Sequence, residues 1–509
     1  MNFALEPGDV ERFRGIVGRT LGLHFEEARI AGLAEVLRRR VEASGQNCQH
    51  YLSRLEAELP RPELGALAQE LTVPETYFFR NASQFHAFTE VVLPERMRAR
   101  ASSQQLRILS AGCASGEEAY SLAILVREAV LNPSWEVSVL GVDVNPAMLQ
   151  KALRARYSTW ALRETPPESR RDWFRPEGRD VVLSEDACHA VRFEERNLAE
   201  DDPGLWRSET YDVIFCRNVI MYFTRDSAQA LVARITRALA PGGYLFLGHA
   251  ETLRGLSVDF HLRHTHETFY YQRRERLGPP SNRPPLQATP PASRAVDPIV
   301  AVVDSSDTWV ETIRRASARI QTLTDSSRQR VAARVVPIAP VPRSDLGVVL
   351  DLLQKERFSD ALDLVQAPPF DVAQDPDVLL LRAVLLTHGG RLGEAEGFCG
   401  KVLEIDELNA GAHYVLALCR EGTGDRKGAA DHGRMAVYLD RTFAMPRLHL
   451  GLLARKVGDF DTARRELVQA LDVLEREDPA RLLLFGGGFG RETLISLCRA
   501  ELSNCGGPA

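Results

Sequence analysis

Between residues 105 and 272 the sequence alternates short apolar runs with amphipathic stretches, and this alternation restricts the possible fold most strongly. The apolar runs include LRILS, EVSVLGVDV, YDVIFCRNV and GYLFLGHAE, and helical stretches such as DSAQALVARITRALA lie between them. Strands that are apolar on both faces and joined by helices form a largely parallel sheet that is covered on both sides. The pattern predicts an α/β domain over 86–273, with a last aromatic-rich strand in RHTHETFYYQRR.

One connection in this region is too long for a simple strand-to-helix crossover. Roughly 35 residues separate the helix after Asp143 from the strand near 190, and they include the stretch RDVVLSEDACHAVRF. We expect an inserted antiparallel β element at about 155–192.

The first 85 residues are expected to form a helical domain. In EEARIAGLAEVLRRRVEA the apolar residues recur at spacings of three and four, as on one face of a helix. Arg38, Arg39 and Arg40 lie together near its C-terminal end. Either they complement the helix dipole, or they form a contact patch for an acidic partner.

The C-terminal third of the sequence is repetitive. A basic, proline-rich linker is expected over 274–344, followed by helical repeats over 345–480 and a C-terminal tail over 481–509 that includes the glycine-rich stretch FGGGFGRE. Gly390, Gly424 and Gly458 recur every 34 residues. Small residues recur beside them at Ala361, Ala395, Ala430 and Ala463. This period resembles tetratricopeptide (TPR) repeats, whose stacked helix pairs commonly bind a peptide or a partner protein.

The stretch ILSAGCASGEEAYSLAI predicts a strand, a glycine turn and a helix, the plan of a nucleotide-binding loop. Its spacing is G-x-x-x-G at Gly112 and Gly116, and Glu117 and Glu118 occupy the helix start where a dinucleotide would place its pyrophosphate. A phosphate would be repelled there, whereas a phosphate-free adenosine with a cationic end would not. Asp143, at the end of the next strand, fits a ribose contact.

A structural alternative exists for Glu118. Ser115 and Glu118 have the spacing of a capping box, in which the glutamate binds only the backbone at the helix start. From the residues alone both interpretations stay open.

Six blocks occur in order: ETYFFRNASQF, SAGCASGEEAYS, GVDVN, ERNL, IFCRNVIMYF and LGHAE. Together they closely resemble the chemotaxis receptor methyltransferase (CheR) family over about residues 8–272. The resemblance implies a helical N-terminal domain, a Rossmann-like methyltransferase sheet and a small β-subdomain. It also implies transfer of a methyl group from S-adenosylmethionine to glutamate side chains of chemoreceptors, with S-adenosylhomocysteine as product.

The resemblance also assigns residues. As cofactor contacts it implies Thr76, Arg80, Gly112, Glu118, Asp143 on the ribose, Asn197 and Leu198 at the adenine, and Arg217 and Asn218 at the methionine moiety. Tyr222 would lie near the reacting methyl, Arg80 and Tyr222 would orient the acceptor, and the basic helix at Arg38–Arg40 would meet the receptor. Two departures are Pro74, where members often have an asparagine, and Ala119 in place of a proline.

An ionised acceptor glutamate needs no general base, because its unperturbed pKa is about 4.3. We expect a cytoplasmic enzyme that is recruited to receptor arrays, with an unknown peptide or signalling protein on the TPR domain. No metal site, nucleic-acid binding or membrane insertion is expected: the net charge is −6, and the eight cysteines are scattered. The alternatives are a methyltransferase acting on a small molecule or RNA, a cofactor-sensing TPR scaffold, and a dehydrogenase, which the acidic helix start disfavours.

Overall fold

The structure, a computed structural model, describes residues 5–57, 59–130, 132–275, 352, 358–366, 375–487 and 489–505. The chain divides into two compact units, residues 1–281 and 282–509, and each is described by itself. The predicted linker over 274–344 lies almost entirely outside the described residues. Within them, no helix has the length and apolar character that crossing a bilayer requires.

The first unit begins with four helices, as predicted: α1 (Pro7–Thr20), α2 (Ile30–Ser44), α3 (Cys48–Ala57) and α4 (Arg61–Leu71). Their apolar faces meet in one core, in which Leu33, Leu37 and Val41 of α2 are buried while Ile30 lies at the margin. The periodicity of α2 therefore predicted which face of the helix is buried.

A seven-stranded sheet forms the centre of the first unit. Its strands lie in the order β6-β2-β1-β7-β8-β10-β9. The bounds are β1 (Gln105–Ala111), β2 (Glu136–Asp143), β6 (Val191–Glu195), β7 (Tyr211–Cys216), β8 (Leu239–Leu247), β9 (Phe260–Thr265) and β10 (Thr268–Arg273). The first five of these in the spatial order are parallel, and β10 runs antiparallel to β8 and β9. The strand order changes side at β1: β2 and β6 lie on one side of it, and β7 and β8 lie on the other. In sheets of this kind, ligands bind beyond the carboxyl ends of the strands at that point.

Helices cover the sheet and connect its parallel strands, as the alternation predicted. They are α5 (Ala82–Ala87), a π-helical turn (Phe88–Val92), α6 (Leu93–Ala99), α7 (Glu117–Ala129), α8 (Pro146–Arg154) and α11 (Arg225–Ala238). The strand β7 is buried along its whole length, which explains its uninterrupted apolar sequence.

The single last strand predicted in RHTHETFYYQRR is wrong. The chain forms a hairpin of β9 and β10 that turns at His266 and Glu267, which have φ values of 51° and 55°. Two successive left-handed residues make a tight turn of the kind that normally carries Asn-Gly, and His266-Glu267 lacks that turn signal.

The expected insert is present as a separate three-stranded antiparallel sheet. It comprises β3 (Arg156–Ser158), β4 (Phe174–Glu177) and β5 (Asp180–Leu183), with two short helices, α9 (Pro167–Trp173) and α10 (Glu185–His189). Phe78, from the segment before α5, packs edge-on against Tyr157 and Phe174 of this sheet. The insert is thereby fixed to the segment that carries Arg80.

The second unit consists of paired helices. Their bounds are α12 (Phe358–Gln366), α13 (Pro376–His388), α14 (Leu392–Ile405), α15 (Ala410–Gly422), α16 (Arg426–Leu439), α17 (Ala444–Lys456), α18 (Phe460–Leu474), α19 (Pro479–Phe485) and α20 (Arg491–Asn504). Among the described helices, α13–α14, α15–α16 and α17–α18 are the first, second and third pairs. Gly390, Gly424 and Gly458 follow the first helix of each pair, with φ values of 74–85°. The array is of the TPR type, with left-handed turns at the predicted period.

Two details of the second unit differ from the sequence analysis. The buried small residue of the second pair is Ala429, 34 positions from both Ala395 and Ala463, whereas the predicted Ala430 is only partly buried. The expected C-terminal tail contains the two helices α19 and α20.

Candidate functional site

Two adjoining cavities lie beyond the carboxyl ends of β1, β2 and β7. They share Val73, Gly112, Ala114, Asn218 and Tyr222. The apolar cavity is lined by residues from the loops after α1, α4, β1 and β7 and from the ends of β2 and β6. The polar cavity contains ionisable side chains, and it brings together seven predicted site residues: Thr76, Arg80, Gly112, Glu118, Arg217, Asn218 and Tyr222.

The glycine loop after β1 shapes the floor of both cavities. Gly112 has a φ of 78°, and a Cβ there would lie 2.5 Å from Cγ2 of Val219 in the loop after β7. Glycine is therefore required at position 112 for both conformation and space. This contact keeps the loops after β1 and β7 close together.

Asp143 stands at the end of β2 and stabilises the glycine loop. Its two carboxylate oxygens accept hydrogen bonds from the backbone N–H groups of Ala114, at 2.9 Å, and Asn145, at 2.8 Å. Burial raises the pKa of Asp143, and these N–H groups oppose the effect. Asp143 also lines the apolar cavity.

The alternative of a capping box at Ser115 and Glu118 is not what the structure shows. The N-cap of α7 is Gly116, with a φ of 90°, so Glu118 occupies the second helical position. Its carboxylate accepts a hydrogen bond from Oγ of Ser110 at 2.7 Å and lies 3.3 Å from a guanidinium nitrogen of Arg217. Glu118 therefore lines the polar cavity. Glu117 is buried and accepts a hydrogen bond from Ser115.

The polar cavity carries charges of both signs. Burial raises the pKa of Glu118 and lowers that of Arg217, and each group partly offsets the shift of the other. Arg217 also donates a hydrogen bond to the backbone carbonyl of Arg80 at 2.5 Å, and Arg80 donates to the carbonyl of Glu75 at 3.0 Å. A carboxylate beside two guanidinium groups matches a zwitterionic amino-acid group, whose ammonium and carboxylate need opposite partners.

The two residues predicted at the adenine lie in the apolar cavity. Leu198 contributes an apolar side chain. The side-chain amide of Asn197 donates to the carbonyl of Thr20 at 2.7 Å and to the carboxylate of Glu200 at 3.0 Å. A ligand contact from Asn197 would therefore come mainly from its backbone.

Tyr222 lies on a short 3-10 turn (Ile220–Tyr222), not at a strand end, and lines both cavities. Its backbone carbonyl accepts a hydrogen bond from the N–H of His24 at 2.7 Å. Phe223, the next residue, forms an isolated antiparallel bridge with Leu23. The N-terminal helices thus help to position the turn that carries Tyr222.

The predicted receptor contacts lie on α2, one turn before its last turn. Each is ion-paired: Arg40 with Glu63, Arg39 with Glu70 and Glu35, and Arg38 with Glu35. The dipole interpretation is therefore not what the structure shows. Arg40 is mostly buried, whereas about half of the Arg39 side chain is exposed.

Two contributions to the site were not predicted from the sequence. Glu251, in the LGHAE block, is a buried carboxylate that accepts hydrogen bonds from the backbone of the Tyr222 loop; its position just after the apolar strand β8 was the available signal. The loop after α1 also lines the apolar cavity, through His24, Phe25 and Arg29. No local motif marks that loop.

Comparison with known proteins shows a family match that covers most of the sheet of the first unit. Residues 74–269 match the family described as CheR methyltransferase, SAM binding domain. Chemotaxis protein methyltransferase 2 of Vibrio cholerae is 33% identical over 274 residues, covering 52% of this chain and 92% of that protein. Chemotaxis protein methyltransferase 1 of Pseudomonas aeruginosa is 30% identical over 256 residues, covering 49% of this chain and 91% of that protein.

A longer relative extends through the helical repeats. The probable biofilm formation methyltransferase WspC of Pseudomonas putida is 28% identical over 459 residues, which cover 89% of this chain and 96% of that protein. The fold, the charge pattern of the polar cavity and these relatives agree. The chain belongs to the CheR methyltransferase family, and its cofactor is S-adenosylmethionine.

Proposed function

We propose that this protein methylates glutamate side chains of chemoreceptors, in adaptation of the chemotaxis type. The observation that carries the proposal is the composition of the polar cavity: Arg80 and Tyr222 are suited to hold a carboxylate acceptor. Cys113 also lines this cavity, but burial raises the pKa of its thiol, so it stays protonated and is a poor base or nucleophile. An acceptor that is already ionised suits this environment.

We assign the adenosine part of the cofactor to the apolar cavity and its amino-acid part to the polar cavity. The apolar cavity takes the adenosine, with Leu198 beside the base and Asp143 at the ribose hydroxyls. In the polar cavity Glu118 binds the ammonium group, and Arg80 and Arg217 bind the carboxylate, with Thr76 and Asn218 beside them. The bound cofactor supplies an electrophilic methyl group on a positively charged sulfur.

The protein contributes chiefly by positioning the acceptor. Arg80 and Tyr222 line the polar cavity and are partly exposed, and 52% of the surface of the neighbouring Met221 is exposed. Tyr222 donates a hydrogen bond to the incoming carboxylate and fixes its direction, and Arg80 attracts it. Orientation of this kind lowers the barrier without any change in the chemistry of the acceptor.

We assign receptor contact to α2, where Arg39 and Arg38 are exposed enough to meet acidic groups, and in part to Arg40. The β-subdomain is proposed to hold a receptor peptide, and the TPR array to recruit or regulate through a protein partner. The enzyme would then act in the cytoplasm at receptor arrays.

A second candidate differs in the signalling system, not in the chemistry. The WspC alignment includes the repeats, whereas the alignments to the two chemotaxis methyltransferases cover about half of this chain. This favours a receptor of a biofilm-type system as the acceptor. Membranes with receptors of either system distinguish the two candidates.

The test is transfer of tritiated methyl groups from S-adenosylmethionine to receptor-containing membranes, with release of methanol by alkali as the readout for a carboxyl ester. We expect the full chain to label the receptors and Tyr222→Phe to lower turnover at least ten-fold, with little change in affinity for S-adenosylhomocysteine. Loss of cofactor affinity alone would refute the role of Tyr222.

Arg80→Ala should reduce labelling, and the matched control Arg98→Ala should not, because Arg98 lies exposed on α6 and lines neither cavity. Alkali-stable label would identify a nitrogen acceptor and overturn the proposed substrate class.

A further inference from the structure

The segment that follows the third helix pair does not continue the repeat array. Leu482, Leu484 and Phe485 of α19 are buried. The helix ends at the glycine-rich stretch, where the N–H of Gly486 donates to the carbonyl of Leu482 at 2.7 Å and Gly487 has a φ of 70°.

This segment contacts all three preceding pairs through their first helices or helix starts. The carbonyl of Leu484 lies 3.1 Å from Nε2 of His388, the last residue of α13. The ring of Phe485 lies 6.0 Å from that of Tyr414 in α15, and 4.9 Å from that of Phe443, the N-cap of α17.

Such contacts are not those of a fourth repeat. In a stacked array each pair contacts only its neighbours, so the first helix of a fourth pair would pack on α17 and α18. Here residues 484–487 reach the first pair instead. The segment therefore lies across the face formed by the first helices, which is the face that such arrays use for binding.

Phe485 occupies a formed pocket on this face. A Cβ at Gly411 would lie only 3.0 Å from Cζ of Phe485, so the absence of a side chain there makes room for the ring. Tyr414 and Phe443 form aromatic walls with edge-to-face geometry. Aromatic side chains held in such pockets are typical anchors of protein interfaces.

A cation four residues before Phe485 completes the contact. Arg481 lies 2.8 Å from the carboxylate of Asp440 and 3.2 Å from that of Glu477, and its guanidinium lies 4.0 Å from the centre of the Phe443 ring. Asp440 at the end of α16 and Glu477 in the connection before α19 therefore form an acidic subsite beside the Phe443 ring, next to the pocket for Phe485.

We propose that this face is a peptide-binding site that α19 occupies as an internal ligand. Its partner is a peptide of the same chemistry, with a basic residue four positions before an aromatic anchor and a leucine directly before that anchor. A short tether gives the internal segment an effective concentration of the order of millimolar. A partner binds only when it displaces α19.

The proposal is tested with a fluorescent synthetic peptide that copies residues 478–490, added to the full chain and followed by anisotropy. Phe485→Ala empties the pocket, so we expect it to bind the peptide at least ten-fold more tightly than the unchanged protein does. Phe489→Ala is the matched control, because 49% of the Phe489 surface is exposed, and it should bind like the unchanged protein. A peptide with serine in place of the phenylalanine that copies Phe485 should not bind.

Equal peptide binding by Phe485→Ala and the unchanged protein, or no binding by a folded Phe485→Ala variant, overturns the proposal. If circular dichroism shows that the variant does not fold, hydrogen exchange on the unchanged protein decides. Excess peptide should then accelerate exchange of the Gly486 amide, and an unchanged rate would overturn the proposal.

Discussion

At the scale of single residues, Glu251 shows how a group remote from the ligand can shape the site. Its carboxylate accepts hydrogen bonds from the backbone N–H groups of Asn218, Val219, Met221 and Gly248, at 2.6–3.1 Å. Burial raises its pKa, and the four N–H groups oppose that rise. Both oxygens are needed, so Glu251 acts as a positioning residue for the loop that carries Tyr222.

Glu251→Gln should lower the turnover number at least ten-fold. A glutamine offers one acceptor oxygen, and its NH2 group would face backbone donors that then lose their partner, which costs about 1–3 kcal/mol for each buried group. The measurement is steady-state methyl transfer, together with the affinity for S-adenosylhomocysteine.

Glu267→Gln, in the exposed β9–β10 turn, is the matched control and should retain full turnover. Equal losses in the two variants would show that Glu251 has no specific role in positioning the loop.

The sequence predicted the site residues best where one residue type is physically required. The positive φ and close contact at Gly112 require glycine, and a carboxylate at the end of β2 is a general feature of such sheets. The sequence predicted less about a site residue whose hydrogen-bond partner lies far away along the chain. The amide of Asn197 is engaged by the carbonyl of Thr20, 177 positions away, and no local pattern encodes that contact.

At the scale of elements, α2 separates two roles within its three arginines. Arg40 donates two hydrogen bonds to Glu63, which also accepts one from Tyr51 at 2.7 Å, and these side chains are mostly buried. Arg39 is half exposed and pairs at the surface, where such pairs contribute little to stability. One helix can thus stabilise the domain with Arg40 and meet a receptor with Arg38 and Arg39.

We expect the double variant Arg38→Ala/Arg39→Ala to raise the KM for receptor membranes without changing cofactor affinity. Arg40→Ala should instead lower the melting temperature by several degrees, because the loss of its charged hydrogen bonds costs about 1.5–3 kcal/mol. Methyl-transfer kinetics and thermal unfolding measure the two effects, with Arg98→Ala, exposed on α6, as control. A raised KM in Arg40→Ala without lower stability would contradict this division.

The connection between α18 and α19 contains a titrating group. Glu477 is buried, accepts a hydrogen bond from the N–H of Ala444, and faces Arg481, Asp440 and Asp478. Burial raises its pKa to about 7 from an ordinary value of 4.5. The folded state therefore binds the proton more tightly, so this stabilising contribution is present below about pH 4.5 and is lost as the pH rises to about 7.

The free energy of unfolding of the second unit should therefore fall as the pH rises through this window. Glu477 contributes up to about 1.4 kcal/mol of this fall for each pH unit. Glu477→Gln should weaken that dependence, whereas Glu475→Gln, an exposed neighbour, should leave it unchanged. Thermal unfolding at pH 5 and pH 8 gives the comparison. The same slope in all three proteins would show that Glu477 does not titrate in this range.

The elements were predicted where the hydrophobic pattern is long and regular, as in the parallel strands and the 34-residue repeats. They were missed where tertiary contacts replace a local signal. The His266–Glu267 turn has no glycine, and the N-cap at Gly116 moved Glu118 out of the capping position. The helix α19 carries an ordinary apolar sequence, and only its contacts with α13 and α15 reveal where it packs.

At the scale of the whole molecule, the chain has two compact units, each with its own buried side chains. Units with separate cores commonly unfold separately. We expect two unfolding transitions in calorimetry. S-adenosylhomocysteine should raise the midpoint temperature of only the transition that belongs to residues 1–281, because a ligand stabilises the state that binds it.

Glu477→Gln should change the midpoint temperature of only the other transition. The ligand and the substitution together assign each transition to its unit without truncation of the chain. A single transition that responds to both the ligand and the substitution would show that the two units unfold together.

The acidic start of α7 has a consequence for competition inside a cell. Adenosine there exists mostly as nucleotides such as ATP and NAD, which all carry anionic tails. Glu118 lies where the phosphate groups of these nucleotides would bind, and its buried carboxylate repels them. The enzyme can therefore keep its cleft available for a scarcer molecule, so methylation would follow the supply of methyl donor and stay insensitive to the energy charge of the cell.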